Sequence, residues 1–197
     1  VPELASLGPV FKTCAPLQLT EEETEYHVLC VHHVLGEHDV FQFHITNTVP
    51  EQVIEDVSVM LDLADAPDLE EETSIPLAVA PSDGAGQAYV VLRRTVEGPA
   101  TGTIASILKF KIKEIDPSTG EAEEEGFDDE YQLEDLDCSP ADYVRPAPTR
   151  NFTEQWESLG EDKEVADQYA LGERESVQEA VEQLIELMGM SVCDGTN

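Results

Sequence analysis

Basic residues are scarce in this chain. Its 197 residues hold 10 lysines and arginines against 43 aspartates and glutamates, for a formal charge of −33. Nucleic acids and anionic lipid headgroups are bound by Lys and Arg that displace their counterions, so this charge argues against direct binding to either. Long apolar runs are missing as well, and none approaches the ~20 residues of a membrane-spanning helix. The chain begins Val1-Pro2-Glu3-Leu4, without an initiator Met and without the charged-then-apolar pattern of a signal peptide, and reads as a piece of something longer. Cysteine is confined to positions 14, 30, 138 and 193, with no CxxC pair. In a chain of this length that usage points to reduced, buried thiols and a cytosolic setting rather than a disulfide-stapled secreted domain. The sequon Asn151-Phe152-Thr153 is then left unused. Tryptophan occurs once, at Trp156.

What is present is enough apolar residue to build a core: 41% of the chain is hydrophobic, ordinary for a globular protein. From Thr24 the pattern is that of strands. "TEYHVLCVHHVL" is followed by the turn "GEHD", and then Phe41, Phe43 and Ile45 alternate with Gln42, His44 and Thr46. Val57, Val59 and Leu61 repeat the alternation. "GQAYVVLRRTV" and "GTIASILKFKIKEID" supply two more strands, the second with Leu108, Phe110 and Ile112 on one face and Lys109, Lys111 and Lys113 on the other. Residues 62–86 read as loop with one short strand at most. Prolines at 2, 9 and 16 exclude a long helix from the first 23 residues. Between Glu114 and Asp135 stand eleven acids and no base, a pattern that suits a solvated loop and a charge-protected edge strand. Short strands separated by turns, with almost no helical period before Val144, predict a β-sandwich over residues 1–143.

"SPADYVRPAPTR", residues 139–150, carries three prolines and reads as a linker. A second, smaller domain is expected over 144–197. In it, Ser176 and Glu179 form a capping box, and Val177, Val181, Leu184, Ile185 and Met188 make one apolar stripe that ends at Gly189. One amphipathic helix needs a partner surface, and little sequence follows it, so this domain reads as truncated.

Catalytic signatures are absent. There is no GxSxG, no SxxK and no recognisable Cys-His context, and "SDGAGQ" lacks the Lys-Ser/Thr of a phosphate loop. Histidines 27, 32, 33, 38 and 44 cluster in sequence, but no HExxH and no zinc-type Cys pair accompanies them, and His32 and His33 point to opposite faces of a strand. Neither an enzyme nor a metal or other cofactor is expected. Two binding candidates remain. Phe152 and Trp156 stand four apart, on one face of a short helix, as core anchors or as an exposed peptide-docking pair. Lys109, Lys111 and Lys113 form a basic stripe, either a plain solvated sheet face or a secondary patch for an acidic peptide, with Arg93 and Arg94 on a nearby strand.

"FKTCAPLQLTEEETEY", "VFQFHITNT", "KEIDPSTGEAEEEGFDDEYQLEDL", "NFTEQWESLG" and "ESVQEAVEQLIELMGM" together resemble the C-terminal appendage, or ear, of the gamma subunit of coatomer, from about Phe11 to Cys193. The resemblance implies an immunoglobulin-like β-sandwich followed by a smaller α/β platform. It implies a non-catalytic, protein-docking part of the COPI coat in Golgi-to-ER and intra-Golgi transport, cytoplasmic and peripheral on Golgi membranes. Implied partners are other coatomer subunits and Arf GTPase-activating proteins, docking at the platform with Trp156 in the site; Phe152 joins it as a candidate by its spacing. Alternatives are a clathrin-adaptor ear, a secreted sandwich adhesion module and a metal-dependent hydrolase.

Overall fold

The computed structural model describes residues 2–146, 151–163, 167–170, 172 and 176–192. The chain divides into two compact units, Val1–Ser139 and Pro140–Asn197.

The first unit is built from eleven strands: β1 (Val10–Thr13), β2 (Leu17–Gln18), β3 (Tyr26–Leu35), β4 (His38–Asn47), β5 (Gln52–Asp62), β6 (Leu69–Ile75), β7 (Leu77–Ala80), β8 (Gly84–Arg94), β9 (Gly102–Glu114), β10 (Phe127–Gln132) and β11 (Leu136–Cys138). One sheet runs β1-β3-β4-β8-β6, with β2 also beside β3; the other runs β10-β9-β5-β7, with β11 also beside β9. Every pairing is antiparallel. This is the β-sandwich that the alternation predicts.

Alternation places the core. Val28, Cys30, Phe41, Phe43, Ile45, Val90 and Leu92 of one sheet are buried, as are Ile54, Val57, Val59, Leu108, Phe110 and Ile112 of the other. Tyr26 of β3 meets Phe110 of β9 with ring centroids 4.6 Å apart, which ties the two sheets together. Removing each large apolar side chain from water contributes about 1.5–3 kcal/mol. The first sheet is covered on its other face too. A 3-10 helix at Pro2–Leu7 lays Leu4 and Leu7 on Leu35, Val40 and Val91. That second cover explains why β3 and β8 hold apolar runs as well as alternation.

Two segments depart from the expectations. The N-terminal prolines permit the short 3-10 helix, because tight turns tolerate a fixed φ where a long helix does not. Residues 62–86 hold two strands, not one at most. β6 is an edge strand whose middle residues are solvated glutamates, so it shows no apolar period. Its Glu70 pairs with Arg93 at 2.6 Å, and its Glu72 with His38 at 2.9 Å.

The acidic run folds as a turn followed by an exposed edge strand, β10. Asp116 Oδ1 accepts the Ser118 hydroxyl at 2.6 Å and the Ser118 N–H at 2.7 Å, and these bonds hold its carboxyl below the usual range.

Candidate functional site

The second unit's described elements are helical. Its first α-helix, α1, spans Phe152–Leu159. Asn151 starts it: its side-chain oxygen accepts the Glu154 N–H at 3.1 Å, and its amide donates to Glu154 Oε2 at 3.1 Å. The sequon asparagine is therefore the helix cap. Gly160, at φ 78°, ends the helix in a backbone region that a Cβ disfavours. Eight residues are too few for a stable isolated helix, and Glu157 in the last turn opposes the helix dipole.

Phe152 and Trp156 do share a face. Their ring centroids are 5.7 Å apart and tilted by 31°. Phe152 is 45% exposed, Trp156 47% and Leu159 47%, so the indole is neither a core anchor nor a free-standing ring. It presents an apolar face about two helical turns long, bordered in sequence by Glu154 and Glu157.

The second α-helix, α2, spans Val177–Met188. The Ser176 hydroxyl oxygen accepts the Glu179 N–H at 3.1 Å, as the capping box predicts, while Glu179 Oε1 accepts from Gln183 at 3.1 Å. Gly189 is left-handed, and the Met190 N–H reaches back to Ile185 O at 3.2 Å. Of the apolar stripe, Ile185 is partly covered, while Val181, Leu184 and Met188 are exposed and Val177 is 82% exposed.

The lysine stripe lies in the first unit. Lys109 is 3.5 Å from Glu130, Lys111 4.0 Å from Asp128, and Lys113 2.8 Å from Glu55. Lys109 and Lys111 line an open cleft of about 450 Å³ together with Phe110 and the carboxylates of Asp56, Asp128, Asp129 and Glu130. The cleft sits beside a β-bulge between Glu55 and Ser58, where Asp56 takes a φ of 52°. With two lysines against four acids, the cleft is of mixed charge.

Two family models match the chain end to end. One, described as the coatomer gamma subunit appendage platform subdomain, matches residues 1–139, and the other, the coatomer subunit gamma-1 C-terminal appendage platform, matches residues 141–197. The chain belongs to the coatomer gamma subunit family. Among its relatives, coatomer subunit gamma of Arabidopsis thaliana is 47% identical over the whole chain. Coatomer subunit gamma of Dictyostelium discoideum is 42% identical over 97% of it, and coatomer subunit gamma-2 of Homo sapiens 37% identical over 98%. The chain covers 22%, 21% and 22% of these relatives, about a fifth of each. It is the appendage part of a coat subunit, and the family is a structural component of the COPI coat.

This coatomer gamma appendage also holds a polar cluster that sequence reasoning missed. Asp39 is fully buried. Its Oδ1 lies 2.7 Å from His32 Nε2, and its Oδ2 accepts Arg94 Nη1 at 2.7 Å. Arg94 also donates to the carbonyls of Leu35 and Gly36, in the turn joining β3 to β4, and to His38 O. The other histidines are spread among separate partners: His27 with Glu22 O, His33 with Thr13 and Gln42, His38 with Glu72, and His44 with Gln87. The signal was present in one form only, three polar residues at apolar-patterned strand positions, and it becomes legible once the register sets Val34 opposite Asp39 and His38 opposite Arg93.

Proposed function

We propose that this appendage is a non-catalytic docking module that recruits accessory proteins to the COPI coat, with Phe152 and Trp156 as the contact residues. The single observation that carries the reading is the half-exposed Phe152–Trp156 pair on one face of α1. A rigid aromatic pair offers a large apolar contact area at little entropic cost, the pattern of a binding hot spot. Its carboxylate neighbours favour partner segments that bring basic residues. The partners we infer are Arf GTPase-activating proteins, through short peptide motifs, together with other coatomer subunits. The setting is cytoplasmic, peripheral on Golgi membranes through the coat, in Golgi-to-ER and intra-Golgi transport. The lysine stripe of β9 serves as a secondary contact for an acidic segment, in competition with Glu55, Asp128 and Glu130.

The test is a pull-down from cytosol with the appendage at its natural length, wild type against Trp156→Ala. Loss of Arf-GAP capture by a folded variant supports the reading. Full capture by the variant, or capture lost only because the variant unfolds, removes Trp156 from the site.

A further inference from the structure

A feature outside the docking face points to chemistry at a cysteine. Cys14 lies between β1 and β2, and its N–H donates to His32 O at 2.8 Å, which fixes the residue beside the imidazole. Cys14 Sγ is 3.9 Å from His32 Nδ1. The ring is held by a stack on Phe41, with centroids 4.5 Å apart and planes 9° apart. Its far nitrogen faces Asp39 at 2.7 Å, and the other Asp39 oxygen is occupied by Arg94. A carboxylate only accepts, so Nε2 carries a proton. In the neutral imidazole that leaves the Nδ1 lone pair facing the sulfur. A nucleophile, a base and a group that orients the base thus stand in line, the arrangement that activates cysteine elsewhere.

We propose that Cys14 is a modification site, a thiol primed by His32 to react with small hydroperoxides. The thiol proton passes to Nδ1, and the sulfur attacks the terminal peroxide oxygen. The O–O bond breaks, and the leaving oxygen takes the proton from Nδ1. Cys14 becomes a sulfenic acid, oxidised by two electrons, and the hydroperoxide is reduced to an alcohol or, for hydrogen peroxide, to water. A thiol reductant reverses the change. A partly covered sulfur suits a small, soft electrophile, and the site supplies what this step needs, a proton for the departing oxygen. Cys30 is the internal contrast: it is buried on the same strand as His32, and burial pushes its thiol up, away from the reactive thiolate. Asp39 and Arg94 act as positioning residues, through the imidazole. The inference is independent of the docking reading.

The experiment uses the full chain. Site-resolved mass spectrometry follows iodoacetamide alkylation in native buffer and in urea, and dimedone capture after hydrogen peroxide. We expect native Cys14 to alkylate about tenfold or more faster than the same residue in urea at pH 7, and to hold the dimedone adduct while Cys30 stays unlabelled. His32→Gln and Asp39→Asn, where folded by circular dichroism, should lose that advantage; the native-to-urea ratio in wild type decides the matter without them. A native Cys14 no faster than the unfolded residue overturns the proposal. So does reactivity that emerges only after a chelator, which would make the sulfur a metal ligand.

Discussion

Asp39 and Arg94 form an ion pair at 2.7 Å whose carboxylate is wholly withdrawn from solvent and whose guanidinium is 9% exposed. The pair sits where β3 turns into β4, and Arg94 from β8 binds the turn carbonyls of Leu35 and Gly36 at the same time. Removing one partner from such a pair strands a buried charge and costs about 3–5 kcal/mol. Arg94→Met should therefore lower the unfolding free energy of the sandwich by that amount, read as a lower midpoint in urea at unchanged slope. Arg94→Lys should recover less than half of the loss, because one ammonium cannot span a carboxylate and the three carbonyls of Leu35, Gly36 and His38 as a planar fork does. A Lys variant as stable as wild type would show that the charge alone matters.

Tyr26 offers a prediction of opposite sign. Its ring is packed on Phe110, and its buried hydroxyl has no hydrogen-bond partner among the described residues. Burial, helped by Glu25 and Asp129, pushes its pKa up to about 12. The fold thus favours the neutral phenol. That contribution is fully present below the unfolded value of 10.0 and is lost as pH rises through about 12. In a phenolate absorbance titration, one of the five tyrosines should ionise near the top of the range, and Tyr26→Phe should abolish that step. The same variant should be neutral or more stable by about 1 kcal/mol at pH 7, since it deletes an unsatisfied polar atom. Destabilisation by more than that would reveal an ordered water on the hydroxyl.

These two sites also show what a sequence can carry. Strands β4 and β9 were legible because along Phe41 to Ile45 and Leu108 to Ile112 one face is buried and the other only partly covered, so apolar and polar residues alternate in register with the pleat. That Phe152 and Trp156 share one face of α1 was legible from their spacing, but their exposure was not, because an i, i+4 aromatic pair reads the same in a core as on a surface. Strand β6 was not, because an acidic edge strand has no apolar period to read. The His32–Asp39–Arg94 cluster was hidden for another reason: its members come from three strands, and only the pairing of β3, β4 and β8 brings them together. The ion partners of Lys109 and Lys111 likewise depend on the register of β10. Local pattern encodes elements; contacts between elements require the fold.

Gly189 tests a local rule with a second constraint on top of it. Its φ of 60° and ψ of 31° place it in the left-handed region, and a Cβ there would stand 2.8 Å from Ala141 O. Left-handed conformation alone costs an alanine about 1–2 kcal/mol. The backbone oxygen cannot swing aside as a side chain could. Gly189→Ala should therefore fray the last turn of α2, read as faster amide exchange at Gly189 and Met190, whose N–H groups bond to Glu186 and Ile185. Gly189→Asn should be no better, because asparagine eases the dihedral strain and leaves the clash. Unchanged protection in both variants would mean that the segment around Ala141 yields.

Trp156 can be separated from its helix by pairing two substitutions. With 47% of its surface exposed, its removal takes away only part of a buried indole, so Trp156→Ala should cost the free appendage about 1 kcal/mol or less, against the 3–5 kcal/mol of a core tryptophan. The same exposure predicts that the single tryptophan is quenched by acrylamide in the native chain nearly as well as in urea, and that a bound partner shields it. Asn151→Ala acts differently. It leaves both aromatic rings in place but removes the cap that closes the first turn of α1, at about 1 kcal/mol of helix stability. If the proposed docking face is real and needs an ordered helix, Asn151→Ala should weaken accessory-protein capture up to about tenfold, while Trp156→Ala abolishes it. Equal loss in both variants would make helix order, not the indole, the determinant of binding. An indole protected from acrylamide in the free chain would place it in a core and move the contact surface elsewhere.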